Sequence, residues 1–241
     1  MRTINILNIP FHPLTMEETL DTLEGYLATD CNHIVLTPNP EGVMQARRNV
    51  NVAAAFTSAD LSLADGTGIY LAAKYTGQKI PCRVRGFDTI IALFERLAKH
   101  RKSFTAYFLG GKPGVAERAK AEMESRFKGL KVVGYHDGYF TDDIHILDEI
   151  DVLSPDILLV CTGMPKAELW ATKNRCISAR ITMCLGGTLD VMAGEVKLAP
   201  AFFRRLGLEW LYRLVKQPHR AKRMLDLPRF AVAVMFGGRR R

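Results

Sequence analysis

Short apolar runs recur along the chain, each closed by a polar or glycine turn and followed by an apolar stripe at helical spacing. HIVLT (33–37) is β-branched and ends at Pro38-Asn39-Pro40, and Val43, Met44 and Ala46 continue it with helical periodicity. DLSLA (60–64) alternates and stops at Asp65-Gly66, before a helix expected over 67–75. The helix IIALFERLAKH (90–100) precedes a strand FTAYFLG (104–110), the turn GKPG and the helix VAERAKAEMESRF. KVVGY (131–135), the strongly apolar ILLVCTG (157–163) with a helix after MPKAE, and ITMCLGG (181–187) complete the series.

Strands separated by helix-length segments imply βαβ crossovers, because parallel neighbours cannot be joined by a hairpin. The pattern predicts an α/β, Rossmann-like fold: a mainly parallel sheet with helices on both faces. From Pro200 the texture changes. GLEWLYRLVKQP and HRAKRMLDLPRFAVAVMF carry helical apolar stripes interleaved with Lys and Arg, and Pro218 and Pro228 interrupt them. The expected division is a catalytic domain over 1–199 and a basic, amphipathic helical C-terminal appendage over 200–241.

Composition changes this picture in two places. At 241 residues and 48% hydrophobic, the chain can bury one substantial core. It has no apolar run of the ~20 residues that a bilayer span needs, and MRTINILNIPFHPLT lacks the pattern of a secretory leader, so a cytoplasmic protein is expected. The scattered Cys31, Cys82, Cys161, Cys176 and Cys184 suit reduced thiols better than a disulfide or zinc framework. Charge is the second change. Arg204–Arg241 holds eleven Lys or Arg against two acids, a net +9, whereas the preceding 203 residues sum to −1. A neutral body with a basic tail predicts an anionic partner: lipid headgroups, phosphates or nucleic acid.

Ligands of open parallel sheets sit beyond the carboxyl ends of the strands. Those ends here carry Thr37, Asn39, Asp65-Gly66, Gly110-Gly111, Gly138-Tyr139, Gly163 and Gly186-Gly187 with Asp190. Glycine turns opening helices can offer N–H groups to a diphosphate, but neither GxGxxG nor a P-loop is present. Asp65 could be a general base. On spacing alone a helix cap, the commoner role, weighs more. No His, Cys, Asp and Glu cluster has metal-ligand spacing, so no metal and no cofactor are expected. Arg213, Arg220 and Arg223 could hold a phosphate or face solvent on their helices.

Taken together, TPNPEGVMQARRN, LADGTGI, RVRGFD, FLGGKPGVAE, GYHDGYF, GMPKAE, GGTLDVMAGEVKLAP and GLEWLYRLVKQPHRAKR resemble, in order and spacing, the WecG/TagA/CpsF glycosyltransferases. The resemblance runs from about Thr37 to Arg223. It implies an inverting, metal-independent transferase. The donor would be a UDP-sugar (N-acetylmannosamine, its uronic acid or glucose) and the acceptor a polyprenyl-diphosphate-linked sugar of cell-surface polymers. The location implied is the inner face of the plasma membrane, against an anionic surface; a homo-oligomer is left open. By position, Asp65 matches the catalytic base, Thr37 and Asn39 match the sugar pocket, and Arg83 lies in the matching RVxGxD segment as a substrate-binding residue. Gly138, Tyr139, Gly187 and Asp190 fall in segments on the nucleotide side, and Gly110, Gly111, Gly163, Lys166 and Glu168 are expected among the substrate-binding residues. Arg213, Arg220 and Arg223 match arginines that reach toward the lipid diphosphate. One departure stands out: the family pattern Pro-Lys-Gln-Glu is Pro165-Lys166-Ala167-Glu168 here, which bears on the choice of sugar.

The rival from another class is a phosphate- or nucleic-acid-binding module with a basic tail. Aromatics are only 9% of the chain and form no stacking platform among its cations, so nucleic acid is not an expected partner.

Overall fold

The computed structural model describes residues 1–100, 103–216 and 221–237. Its centre is a six-stranded sheet of β3 (His33–Leu36), β4 (Leu61–Ser62), β5 (Phe104–Gly110), β6 (Leu130–His136), β7 (Ile157–Cys161) and β8 (Ile181–Cys184). They lie in the order β4-β3-β8-β7-β5-β6, and every neighbouring pair is parallel.

The strands read as continuous apolar runs because both faces are covered. Alternate side chains divide between two cores, as the two-residue period of a strand requires. Ile34, Leu36, Leu158 and Val160 enter one, while Val35, Ile157 and Leu159 enter the other. The second core is closed by α1 (Met16–Leu27), α5 (Gly86–His100), α6 (Val115–Arg126) and α9 (Thr188–Met192). The first is closed by α2 (Pro40–Ala46), α3 (Val50–Ser58), α4 (Thr67–Tyr75), α7 (Ile144–Leu153) and α8 (Lys166–Lys173). Full burial of side chains such as Phe56, Phe94 and Phe108 contributes about 1.5–3 kcal/mol each.

All six strands expected from the apolar runs are present, as are the helices that follow them. The amino-terminal region adds elements that those runs did not announce. β1 (Ile4–Ile6) and β2 (Ile9–Phe11) form an antiparallel hairpin through Leu7 and Asn8, both at positive φ. Helix α1 starts at a capping box: Thr15 Oγ1 accepts from Glu18 N, and Glu18 Oε2 accepts from Thr15 N at 2.7 Å.

Chain direction positions the ligand side. From β5 the chain runs through α6 to β6, at one edge. From β7 it runs through α8 to β8, toward the other edge. These diverging connections open a crevice between the carboxyl ends of β5 and β7, which is where open sheets bind ligands.

The carboxy-terminal region is helical: α10 (Ala201–Leu206), α11 (Glu209–Lys216), α12 (Ala221–Met224) and α13 (Asp226–Gly237). It packs on the body rather than standing away from it. Phe230 and Val234 of α13 are buried within the first core. Arg48 grips Asp226 through two hydrogen bonds of 2.5 and 3.0 Å, and the pairing holds the Asp226 carboxyl below its ordinary range. Among the described residues, no helix is long and apolar enough to cross a membrane.

Candidate functional site

Two loops at the carboxyl ends of β3 and β4 start the site. Asn39 caps α2, its Oδ1 accepting from Gly42 N at 3.0 Å. Pro40 at the first helical position is suited to that turn. After β4 the half-buried Asp65 leads into α4. The expected cap role passes instead to Gly66, whose φ of +88° favours glycine. Asp65 therefore stands one residue before the cap, on the wall of a cavity.

That cavity has a volume of about 910 Å3. Asn39, Glu41, Asp65, Arg83, Arg85 and Arg223 supply polar and charged groups to its wall. Arg83 donates to Thr67 Oγ1 at 2.8 Å and to the Arg204 carbonyl at 3.3 Å, so one guanidinium ties α4 to α10. Arg85 pairs with Asp88 at 2.8 Å and with Glu209 of α11 at 3.1 Å. Gly207 turns the chain between α10 and α11 with φ +74°, and its carbonyl accepts from Thr67 Oγ1 at 3.3 Å. The tail thus completes the cavity: Leu206–Trp210, Arg223 and Met224, with Leu227, Phe230 and Val234 of α13, line it together with Asp65 and α4.

Glu41, in the first turn of α2, accepts from Arg223 Nε at 2.5 Å and from Gln45 Nε2 at 3.1 Å. Glu168 lies nearby at 5% exposure, and its Oε2 is buried without a partner among the described residues. Burial first, and then the negative charge of Glu41, push its carboxyl up to about 7.

A second group gathers at the β5/β7 crevice. Gly110 ends β5 with φ +139°, where any Cβ would strike the Cys161 backbone at 2.5 Å. Gly138 N donates to the Gly111 carbonyl at 2.9 Å, and Lys166 Nζ donates to the Gly138 carbonyl at 2.9 Å. The same ammonium lies 4.3 Å over the Phe140 ring. Gly163, with φ +85°, opens the turn into α8. Tyr139 is exposed beside this cluster. Gly187 caps α9, in whose first turn Asp190 sits. Gly42 of α2 packs directly against Met164 of the β7–α8 turn, so the loop that carries Asn39 and the loop that carries Gly163 are in contact.

Residues 4–241 match the family described as Glycosyl transferase WecG/TagA/CpsF. The chain belongs to this family of glycosyltransferases. It is 34% identical over 237 residues to the N-acetylglucosaminyldiphosphoundecaprenol N-acetyl-beta-D-mannosaminyltransferase of Bacillus spizizenii, covering 98% of this chain and 91% of that one. The Bacillus subtilis protein of the same name is 31% identical over 237 residues, covering 98% and 92%. That of Staphylococcus aureus is 28% identical over 231 residues, covering 94% and 90%.

In this glycosyltransferase the residues anticipated from sequence fall into distinct places. Asn39, Asp65, Arg83 and Arg223 share the cavity. Thr37 follows β3, its Oγ1 donating to the Cys184 carbonyl at 3.4 Å. Gly110, Gly111, Gly138, Gly163 and Lys166 meet at the crevice. Glu168 of α8 is buried. Arg220 and the side chain of Arg213 lie outside the described residues. Ala167 has no exposed surface and packs in the core under α8, so in this chain the position contributes packing. Glu41, Arg85 and Glu209 escaped the sequence reading. The only local cue was that Glu41 and Arg85 lie within the same short segments as Asn39 and Arg83.

Proposed function

We propose that this glycosyltransferase moves a sugar from a UDP-linked donor to N-acetylglucosamine carried on a polyprenyl diphosphate, with inversion and without a metal. Its relatives carry the name of an N-acetylglucosaminyldiphosphoundecaprenol N-acetylmannosaminyltransferase, and N-acetylmannosamine is the donor sugar those names favour. One observation supports the reading above others: Asp65 shares the wall of one cavity with Asn39, Arg83 and Arg223. A carboxylate is thereby held in the same compartment as guanidinium groups suited to a phosphate-bearing substrate.

In this reading the crevice between β5 and β7 takes the nucleotide. Glycines allow its backbone to approach the diphosphate, and Lys166 lies close enough to offset charge on the leaving group. Thr37, Asn39 and Arg83 orient sugar hydroxyls. Asp65 removes the proton from the acceptor hydroxyl, whose oxygen attacks the anomeric carbon as the bond to the UDP oxygen breaks. Arg223, with Arg213 and Arg220 in the same tail, meets the acceptor diphosphate. Residues 1–199 act as the catalytic body, and 200–241 as the part that meets an anionic membrane face. The exposed Phe202, Val215 and Phe236, set among the basic residues of the tail, support that face.

The test is direct. The purified protein is incubated with a lipid-diphosphate N-acetylglucosamine acceptor and UDP-N-acetylmannosamine, its uronic acid, or UDP-glucose. Released UDP and the anomeric configuration of the product are then measured. Acceptor-dependent UDP release with an inverted linkage is expected for one donor. Failure of all three donors, or a retained configuration, overturns the reading.

A further inference from the structure

The cavity is chemically two-ended, and the reaction uses only one end. Asp65, Arg83 and Arg223 gather with the amino-terminal turn of α4. Beyond them, α4 offers Gly68, Leu71, Ala72 and Tyr75 to the cavity, a spacing of three, four and seven that traces one helical stripe. Opposite, α13 offers Leu227, Phe230, Ala231, Val234 and Met235, again one stripe by the same periodicity. Two apolar stripes therefore face each other along a groove that starts at the acidic residue and follows α4. At 1.5 Å per residue, α4 makes this groove roughly 12 Å long.

The groove is not merely the underside of a packed core. Leu71 is 55% exposed and Met235 44%, although both line the cavity. Apolar groups left open to water at the end of a polar site point to an apolar ligand segment. That segment must be continuous with the group held at the polar end, since the two ends share one cavity. A nucleotide sugar has no such segment; a polyprenyl-linked acceptor has.

We propose that the α4–α13 groove binds the first isoprene units of the acceptor's own lipid, next to its diphosphate. This inference rests on the acceptor assigned under Proposed function. The groove fixes the lipid along α4, so the acceptor sugar enters from the tail side and its hydroxyl is presented to Asp65. Acyl chains of the surrounding bilayer are the competing source of the same chemistry. They would engage the outward-facing Phe236, 81% exposed, which is absent from the groove although it is adjacent in sequence to Met235.

The experiment uses N-acetylglucosaminyl diphosphates that differ only in the length of a short, water-soluble isoprenoid, in the absence of vesicles. For the full chain, kcat/KM is expected to rise as the lipid extends from one isoprene unit and then to level off. Leu71→Asp and Met235→Asp, one on each wall and both at exposed positions, should shrink the long-to-short ratio of kcat/KM by roughly tenfold. That is the loss expected when about two methylene-sized groups no longer leave water. Phe236→Ser should keep the ratio of the unaltered chain. A flat length dependence in the unaltered chain, or an unchanged ratio in both Asp variants, overturns the groove while leaving glycosyl transfer intact. A ratio that falls only in Phe236→Ser overturns it, because the isoprenoid would then lie on the outer face of α13 and not in the groove. If no acceptor of any length is used, the underlying assignment of the acceptor falls, and the groove with it.

Discussion

Arg223 of α12 donates through Nε to Glu41 Oε1 at 2.5 Å, joining the basic tail to the turn that also presents Asn39. The carboxylate aims a guanidinium at the cavity rather than leaving it to sample solvent. Part-exposed pairs of this kind contribute at most about 1 kcal/mol to folding. Glu41→Gln should therefore lower the Tm by no more than about 2–4 °C. Acceptor KM should nonetheless rise, with donor KM little changed. Steady-state kinetics with each substrate varied in turn, beside a melting curve, check this.

Asp65 is the proton acceptor in the proposed chemistry. Asp65→Asn keeps the shape and removes the basicity. Turnover should fall by about 10²–10⁴-fold, while UDP affinity, measured by calorimetry, stays near its original value. Turnover close to that of the unaltered chain would remove Asp65 as the base.

Gly207 is a steric requirement as well as a turn. Its φ is +74°, and an added Cβ would overlap Thr67 Oγ1. Gly77 has nearly the same φ, +75°, with open space around it. Gly77→Ala should thus cost only the left-handed strain, about 1–2 kcal/mol. Gly207→Ala adds the clash and should unseat α10 and α11. Limited proteolysis should cut the tail of Gly207→Ala sooner than that of Gly77→Ala, with the sheet core surviving in both.

Glu168 gives a pH signature of stability. Its carboxyl is raised from an ordinary 4.5 to about 7 by burial. Between those values the folded chain keeps a proton that the unfolded chain has released, so stability falls as pH rises through that window. The accumulated cost is roughly 3 kcal/mol. Glu168→Gln should remove this fall and be the more stable form at pH 8, as read from urea midpoints at pH 5 and pH 8. Parallel pH profiles for the two proteins would refute the buried-proton account.

Much of the sheet was legible because a parallel strand covered on both faces leaves a plain apolar run, as in Ile157–Cys161. The hairpin around Leu7 and Asn8 was not, because its strands are three residues long and the second contains Pro10. Helix α7 was missed as well. Its apolar residues Ile146 and Ile150 mix with Asp148, Glu149 and Asp151, and its start has no side-chain cap. Of the site, Asp65 and Asn39 were visible because each lies in the turn that closes an apolar strand run. Asp65 was weighed more as a cap, a position that glycine occupies instead. The pairs Glu41–Arg223 and Arg85–Glu209 join residues 182 and 124 positions apart, and no local pattern encodes such meetings.

The groove wall formed by α4 ends at Tyr75, and the opposing wall begins at Asp226. A ribosome adding about 5–20 residues per second therefore needs on the order of 10–30 s to pass from one wall to the other. Throughout that interval the nascent chain carries Asp65 and, progressively, the β5/β7 crevice, but only one wall of the proposed lipid groove. In the proposed reading, transfer to the lipid-linked acceptor therefore waits until α13 has emerged and docked.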